Sequence, residues 1–375
     1  MSLWVVVGGQ YGSEGKGKTA AYITQQEDID ICVRCGGPNS GHSFVASDGT
    51  THVVRQLPTG YLRPETRLLI PAGALVDLYV LKRELNYLAI DASRVGVDEN
   101  AMIVEGYDRK RELQLGLRQQ LSSTLCGVGS AVARRALRGS DVRLARDAAT
   151  RCTWLRRMIT SVSEETNEAI DQGKKVLVEG TQGFGLSLYH TQEYPKATSR
   201  DTTAAAFLSE VGLSPRLVTE IVLVLRTFPI RVAGSQAGRL FQEITWEDVR
   251  RESEYAWEIE ERTSVTNLPR RIARFDWQLA TRAVQANRPT RIALTGLDYV
   301  DFRCYGATHA SKLSQRAYDF ANELQMRLAT AVVYCSASPR LDHVFRFDSP
   351  AGSLTKHQDS CDVGSCESAV LVPCH

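Results

Sequence analysis

The stretch Trp4-Val5-Val6-Val7-Gly8-Gly9-Gln10-Tyr11-Gly12-Ser13-Glu14-Gly15-Lys16-Gly17-Lys18-Thr19 decides the fold. Its apolar, β-branched opening reads as a buried strand. The glycines that follow let backbone N–H groups close around an anion, and the lysines supply positive charge. Gly12 to Thr19 fits G-x-x-x-x-G-K-[ST]. Gly12, Gly15, Gly17, Lys18 and Thr19 are therefore expected to hold phosphate, with Lys16 beside them.

Similar apolar runs recur along the chain and end in polar turns. Val176-Leu177-Val178 runs into Glu179-Gly180, Ile221 to Leu225 into Arg226-Thr227, Ile292 to Leu294 into Thr295-Gly296, and Ala331 to Tyr334 into Cys335-Ser336. Helical patterns lie between them. Asp77 is placed to cap a helix carrying Leu78, Leu81 and Leu85, and Asp276 one carrying Leu279, Ala280, Ala283 and Val284. A third helix is expected over 161–172. Strands alternating with helices predict an α/β fold with a mainly parallel central sheet flanked by helices. Ligands of such sheets bind beyond the carboxyl ends of the strands, where the polar turns lie.

Composition excludes other classes. The 375 residues carry 45 Lys+Arg against 43 Asp+Glu, with 43% hydrophobic and 23% charged residues. That is globular rather than disordered or fibrous, and it lacks the basic excess of a nucleic-acid binder. No run approaches the roughly 18 apolar residues of a membrane span, and the first residues read as no signal peptide. With no internal repeat and no Pro/Gly/Ser linker, the length fits two or three average domains or a single large α/β domain with insertions. Nine cysteines, an odd count, read as reduced thiols of a cytoplasmic protein. Cys32 and Cys35 form a lone C-x-x-C. Cys361, Cys366, Cys374 and His375 cluster at the end without a standard zinc spacing, and free thiols are expected there. The clusters Arg134-Arg135-Arg138 and Arg270-Arg271-Arg274 read either as solvated faces or as anion-capturing guanidinium groups.

A second glycine-rich segment is Arg34-Cys35-Gly36-Gly37-Pro38-Asn39-Ser40-Gly41-His42. Its imidazole, in a turn after a strand-like run, favours a proton-donor role. Together the two segments resemble the adenylosuccinate synthetase family, whose hallmarks are G-x-x-W/Y-G-D-E-G-K-G-K and G-G-x-N-A-G-H. The resemblance continues in order. Val178 to Gly183 is similar to F-E-G-A-Q-G. Pro195, Thr198, Ser199, Thr202 and Thr203 echo Y-P-Y-V-T-S-S-N-T-T, and Arg231-Val232 echoes T-R-V-G. Pro269-Arg270-Arg271 to Phe275-Asp276 resembles R-P-R-R-C-G-W-F-D, and Leu294 to Asp298 resembles L-T-K-L-D.

The resemblance implies a P-loop NTPase-like fold, one catalytic unit over residues 1–375 with loop and helical insertions, and a two-step ligation. A nucleoside triphosphate phosphorylates the 6-oxygen of a purine nucleotide, and the amino group of L-aspartate then displaces that phosphate, with Mg²⁺ bridging the phosphates. It implies His42 as the general acid on the 6-oxygen, Lys16 facing the transferred phosphoryl group, and Gln182 orienting the base. Asn39, Thr124 and Thr198 would hold the 5′-phosphate, and Arg134 would be donated by the second subunit of a homodimer. Thr266 and Arg270 would grip aspartate. Asp298, Gly296 and Ser336 would meet the base of the triphosphate, and Ser13 and the Gly41 carbonyl would contact Mg²⁺.

Three departures modify this picture. Ser13 stands where the family has an aspartate that takes the N1 proton, and a serine hydroxyl is no comparable base. Its smaller side chain leaves space near N1 and C2 of the base. Gly296 replaces the lysine whose stem packs on guanine, which weakens the case for GTP and admits ATP or dATP. Leu268 replaces an arginine near the ribose, as a nucleotide without a 2′-hydroxyl would tolerate. These changes resemble the phage branch of the family, which joins aspartate to dGMP with ATP for diaminopurine DNA synthesis, in the host cytoplasm. The alternatives are a divergent IMP- and GTP-using enzyme and an inactive nucleotide-binding homologue.

Overall fold

The computed structural model describes residues 2–263 and 267–347. One ten-stranded sheet takes strands from both ends of that range. In chain order they are β1 (Ser2–Gly8), β2 (Ile31–Arg34), β3 (Arg67–Ile70), β4 (Val95–Asp98), β5 (Ile159–Thr160), β6 (Lys175–Glu179), β7 (Glu220–Arg226), β8 (Arg291–Thr295), β9 (Val332–Ser336) and β10 (Val344–Arg346). Their spatial order is β10-β9-β8-β7-β1-β6-β2-β3-β4-β5. Every pairing is parallel except β9 with β10. The five strand expectations from sequence are all met, the last beginning one residue later, at Val332.

Both faces of the sheet are covered, which explains why its strands read as continuous apolar runs. Alternation sorts the side chains. Leu3, Val5, Val7, Val176, Val178, Leu223 and Leu225 pack on one face with Phe207, while Trp4, Val6, Leu177, Val222 and Val224 pack on the other. Cys32 and Cys35 fall into these opposite cores. Both are free thiols, and burial pushes Cys32 up to about 12 and raises Cys35 as well. The cysteine cluster at 361–375 lies outside the described residues.

Helices α1 (Lys16–Gln26), α2 (Leu78–Tyr87), α3 (Val162–Asp171), α4 (Ala204–Val211), α5 (Trp246–Ser253) and α6 (Trp277–Asn287) surround the sheet. Their starts follow local chemistry. The Asp77 carboxylate accepts from Tyr79 and Val80 N–H, and that of Asp276 from the Leu279 N–H. Ser161 and Gln172 flank α3 as its two caps. A hairpin of His42–Val45 and Thr51–Val54 leans over the carboxyl ends of the central strands.

Phe207 is fully buried against β1 and β6 in this core. We expect Phe207→Ala to cost about 3–5 kcal/mol of unfolding free energy, read from urea denaturation. A cost below about 1 kcal/mol would mean that the two faces are not packed as described.

Candidate active site

The register of the sheet brings the polar strand ends together. Arg34 pairs with Glu179 across β2 and β6, and Arg226 with Thr295 across β7 and β8. The loop after β1 rises between these pairs. Gly12, Ser13 and Gly15 have φ of 85°, 58° and 94°, so Ser13 holds a left-handed conformation usually left to glycine. The fully buried Glu14 carboxylate fixes the turn. It accepts from the N–H groups of Gln10 (3.0 Å) and Gly12 (2.9 Å) and pairs with Lys16 Nζ at 2.5 Å. Gly17 must lack a side chain, because a Cβ there would collide with the Cβ of His42. The two glycine-rich segments are thus in direct contact.

His42 is the centre of a buried ionic cluster. Glu179 Oε1 lies 2.5 Å from His42 Nδ1 and 2.5 Å from Arg34 NH1, while Oε2 accepts from the N–H (2.7 Å) and hydroxyl (2.8 Å) of Thr59. Arg34 NH1 lies 2.7 Å from the same Nδ1; the ionised Glu179 carboxylate can only accept, so we assign the His42 proton to Nδ1, donated to Glu179. Nε2 is left buried without a partner among the described residues. Burial, and next the Arg34 charge, hold His42 down at about 4. Burial alone would raise Glu179, but His42 and Arg34 outweigh it and hold the carboxylate at about 2. At neutral pH the imidazole is therefore uncharged and held in one orientation.

Two clefts meet here. One is lined by Gly15, Gly17, Lys18, Thr295, Gly296 and Asp298, and the other by Tyr11, Gly12, Asn39, Thr124, Gln182 and Leu268. Ser13, Lys16, Gly41, His42 and Arg270 line both. A group passing from a ligand in one cleft to a ligand in the other would cross this junction. Arg226 stabilises it from below, donating to the Ser13 carbonyl (3.1 Å) and pairing with Glu261 at 2.5 Å. Beyond its Glu14 pairing, Lys16 faces both openings. Ser13 and the Gly41 carbonyl fit a Mg²⁺ held chiefly by phosphate oxygens, which needs only one or two protein oxygens. No group of three or more His, Cys, Asp or Glu able to hold a metal by itself occurs among the described residues.

Several expected residues stand elsewhere. Lys18 lines the first cleft but donates to Ser336 Oγ and the Ser338 carbonyl, both at 2.5 Å, and burial lowers it to about 8. Ser336 is thereby a buried support for Lys18 and lines neither cleft. The Thr19 hydroxyl turns back to the Gly15 carbonyl at 3.1 Å instead of facing a phosphate. Thr198 lines neither cleft, its N–H bonded to the Leu186 carbonyl. Arg134 is held in its own chain by two hydrogen bonds to Asp108 and lies over the Tyr107 ring, so donation to a second subunit would first break that ion pair. Arg271 and Arg274 pair with Glu243 and Glu252, which leaves Arg270 as the member of its cluster in the clefts. Thr266 lies outside the described residues.

Sequence reasoning missed Glu14, Arg34, Glu179, Arg226 and Glu261. A signal existed for four of them: each ionisable group sits within a quoted motif or at the end of an apolar run. Nothing local marks Glu261.

The cluster gives stability a pH dependence with a definite sign. An unfolded histidine takes a proton near pH 6.5, whereas native His42 resists until about 4. Stability should fall as pH drops through that window, and Glu179 adds a loss in the same direction as pH falls toward its folded value of about 2. We expect a lower urea midpoint at about pH 5 than at about pH 7.5, and His42→Gln to remove part of the difference. An unchanged difference in that variant would place the dependence on other groups.

Comparison with known proteins agrees with this geometry. The adenylosuccinate synthetase family model matches residues 5–146 and 143–304. Adenylosuccinate synthetase of Thermococcus sibiricus is 38% identical over 348 residues, covering 92% of this chain and 98% of that one. The Methanocaldococcus jannaschii enzyme is 39% identical over 348 residues, covering 91% and 95%. Among solved structures, the cyanophage S-2L succinoaminodeoxyadenylate synthetase, bound to dGMP and to dATP as an energy donor, superposes with a TM-score of 0.79 at 27% identity, covering 93% of this chain and 96% of that one. Fully ligated adenylosuccinate synthetase from Plasmodium falciparum shares the fold, with a TM-score of 0.81 at 18% identity, covering 92% and 100%. No helix among the described residues is long and apolar enough to cross a membrane. With the family model and these relatives covering most of the chain, the protein belongs to the adenylosuccinate synthetase family and is a carbon–nitrogen ligase.

Proposed function

We propose that the enzyme joins L-aspartate to dGMP with ATP or dATP, giving N6-succino-2-amino-2′-deoxyadenylate, the nucleoside diphosphate and phosphate. The observation that carries this reading is Ser13, a small side chain at the junction of the clefts where the family has an aspartate. It leaves room for the 2-amino group of guanine. Leu268, Val232 and Ala233 add an apolar wall to the same cleft, suited to a deoxyribose. The likeness to a protein solved with dGMP and dATP supports the pairing.

The chain acts as one catalytic unit. The γ-phosphoryl group leaves the triphosphate for the 6-oxygen. Lys16 exchanges Glu14 for the transferring group. His42, protonated at Nε2 once the anionic substrates are bound, donates to the 6-oxygen as charge develops there, and the N1 proton of the base passes to solvent. The amino group of aspartate then forms the bond to C6 as phosphate leaves. Gln182 orients the base, and Asn39 and Thr124, with Thr198 on a loop shift, receive the 5′-phosphate. Arg270 and Thr266 hold aspartate. Ser13 and the Gly41 carbonyl would hold Mg²⁺, which would supply neutralisation of phosphate charge. The reading includes a homodimer, in which Arg134 reaches the partner's site by exchanging Asp108 for phosphate.

A second reading, IMP with GTP, is favoured by the archaeal relatives, which are named adenylosuccinate synthetases. Purified protein with Mg²⁺ and aspartate, offered dGMP or IMP with ATP or GTP, separates the two. We expect turnover with dGMP and ATP; product from IMP alone overturns the proposal. Ser13→Asp should shift preference from dGMP toward IMP, and an unchanged ratio removes Ser13 from the specificity argument. His42→Ala should lower kcat by about 10²–10⁴ while nucleotide still binds. Near-normal turnover would make His42 structural.

A further inference from the structure

Asp298 sits on the short helical turn Leu297–Tyr299, just beyond β8, and lines the cleft that also holds Gly296 and Lys18. It is only 3% exposed. One of its oxygens, Oδ2, already accepts a hydrogen bond of 2.8 Å from the Tyr255 hydroxyl. Its other oxygen has no side-chain donor among the described residues. Tyr255 follows α5 directly, and its N–H bonds to the Arg250 carbonyl at 3.0 Å. Its ring is wedged among those of Phe302, Trp257 and Tyr299, with centroids 4.6, 5.2 and 5.8 Å away. The hydroxyl therefore cannot swing aside without unpacking the ring.

This arrangement bears on which base a carboxylate in the cleft can read. Guanine presents two adjacent donors, N1–H and the 2-amino group, and is matched by an ionised carboxylate with both oxygens free. Adenine presents one donor, the 6-amino group, beside the acceptor N1. We propose that Tyr255 is a positioning residue that selects the base of the nucleoside triphosphate: by taking up one acceptor site of Asp298 Oδ2 and fixing the carboxylate's orientation, it weakens the two-acceptor edge that guanine needs and leaves the other oxygen as the single full acceptor that adenine uses. Burial, opposed by Tyr255 and Lys18, raises the Asp298 carboxyl. Gly296 acts in the same sense, since it offers no side chain to cover a guanine ring.

The inference rests on the assignment of this cleft to the triphosphate, but not on which nucleotide accepts the phosphoryl group. Calorimetric binding of the non-hydrolysable analogues AMP-PNP and GMP-PNP, with Mg²⁺ and without acceptor or aspartate, tests it. A wrong acceptor leaves this result intact. We expect the wild type to favour AMP-PNP by about tenfold, the size of one unmet hydrogen bond. Y255F should narrow that ratio to within about threefold, chiefly by binding GMP-PNP more tightly, with little change in Tm. D298N, whose amide still offers adenine an acceptor and a donor, should retain AMP-PNP within about threefold and lose measurable GMP-PNP binding. Equal or tighter binding of GMP-PNP by the wild type, an unchanged ratio in Y255F, or parallel loss of both analogues in D298N would each overturn the proposal.

Discussion

Everything in this site leans on the Glu179 carboxylate. It ends β6, is fully buried, and is engaged on both oxygens by Arg34, His42 and Thr59. A buried ion is expensive unless its hydrogen bonds are complete, and breaking one partner away typically costs about 3–5 kcal/mol. Here completeness is supplied by topology. Adjacent parallel strands put Arg34 beside Glu179, and the second glycine-rich segment returns His42 to the same point. The cluster gives the imidazole one tautomer and one orientation. A solvent-exposed loop histidine would have neither.

The second organising feature is the seam between the two clefts. The residues that face both openings come from three separate parts of the chain: the loop after β1 with the start of α1, the segment Gly41–His42 after β2, and Arg270. Their meeting depends on Gly17, which allows α1 to begin in contact with His42. Phosphoryl transfer needs donor and acceptor oxygens brought near one another with water excluded, and a shared wall does this without a moving domain. Arg226 and Glu261 line the first cleft as an ion pair, and the five residues shared by both clefts include no carboxylate.

Much of this was legible in the order of residues because buried parallel strands write their position as apolar runs. The strand ends, the caps Asp77 and Asp276, and both glycine-rich segments can be read without any coordinates. What could not be read is where a long side chain goes once several destinations exist. Lys16 and Lys18 are two residues apart and look equivalent, yet Lys16, tied to Glu14, lines both clefts, while Lys18, tied to Ser336 and Ser338, lines only the first. Arg134 matches a motif and is nonetheless tied to Asp108, a partner 26 residues earlier. Glu261 finds Arg226 across 35 residues and a small separate sheet. Such pairings are settled by tertiary geometry, and local pattern carries no trace of them.

The bond between Glu14 and Lys16 has one more consequence. In the empty site the lysine already owns an anion, 2.5 Å away and inside the same loop. An arriving phosphate therefore competes with a tethered rival for the ammonium group. The rival cannot leave, because the same carboxylate pins the N–H groups of Gln10 and Gly12. The loop is consequently a three-body balance: the lysine can lean toward whichever neighbour is more negative and lean back when that neighbour departs.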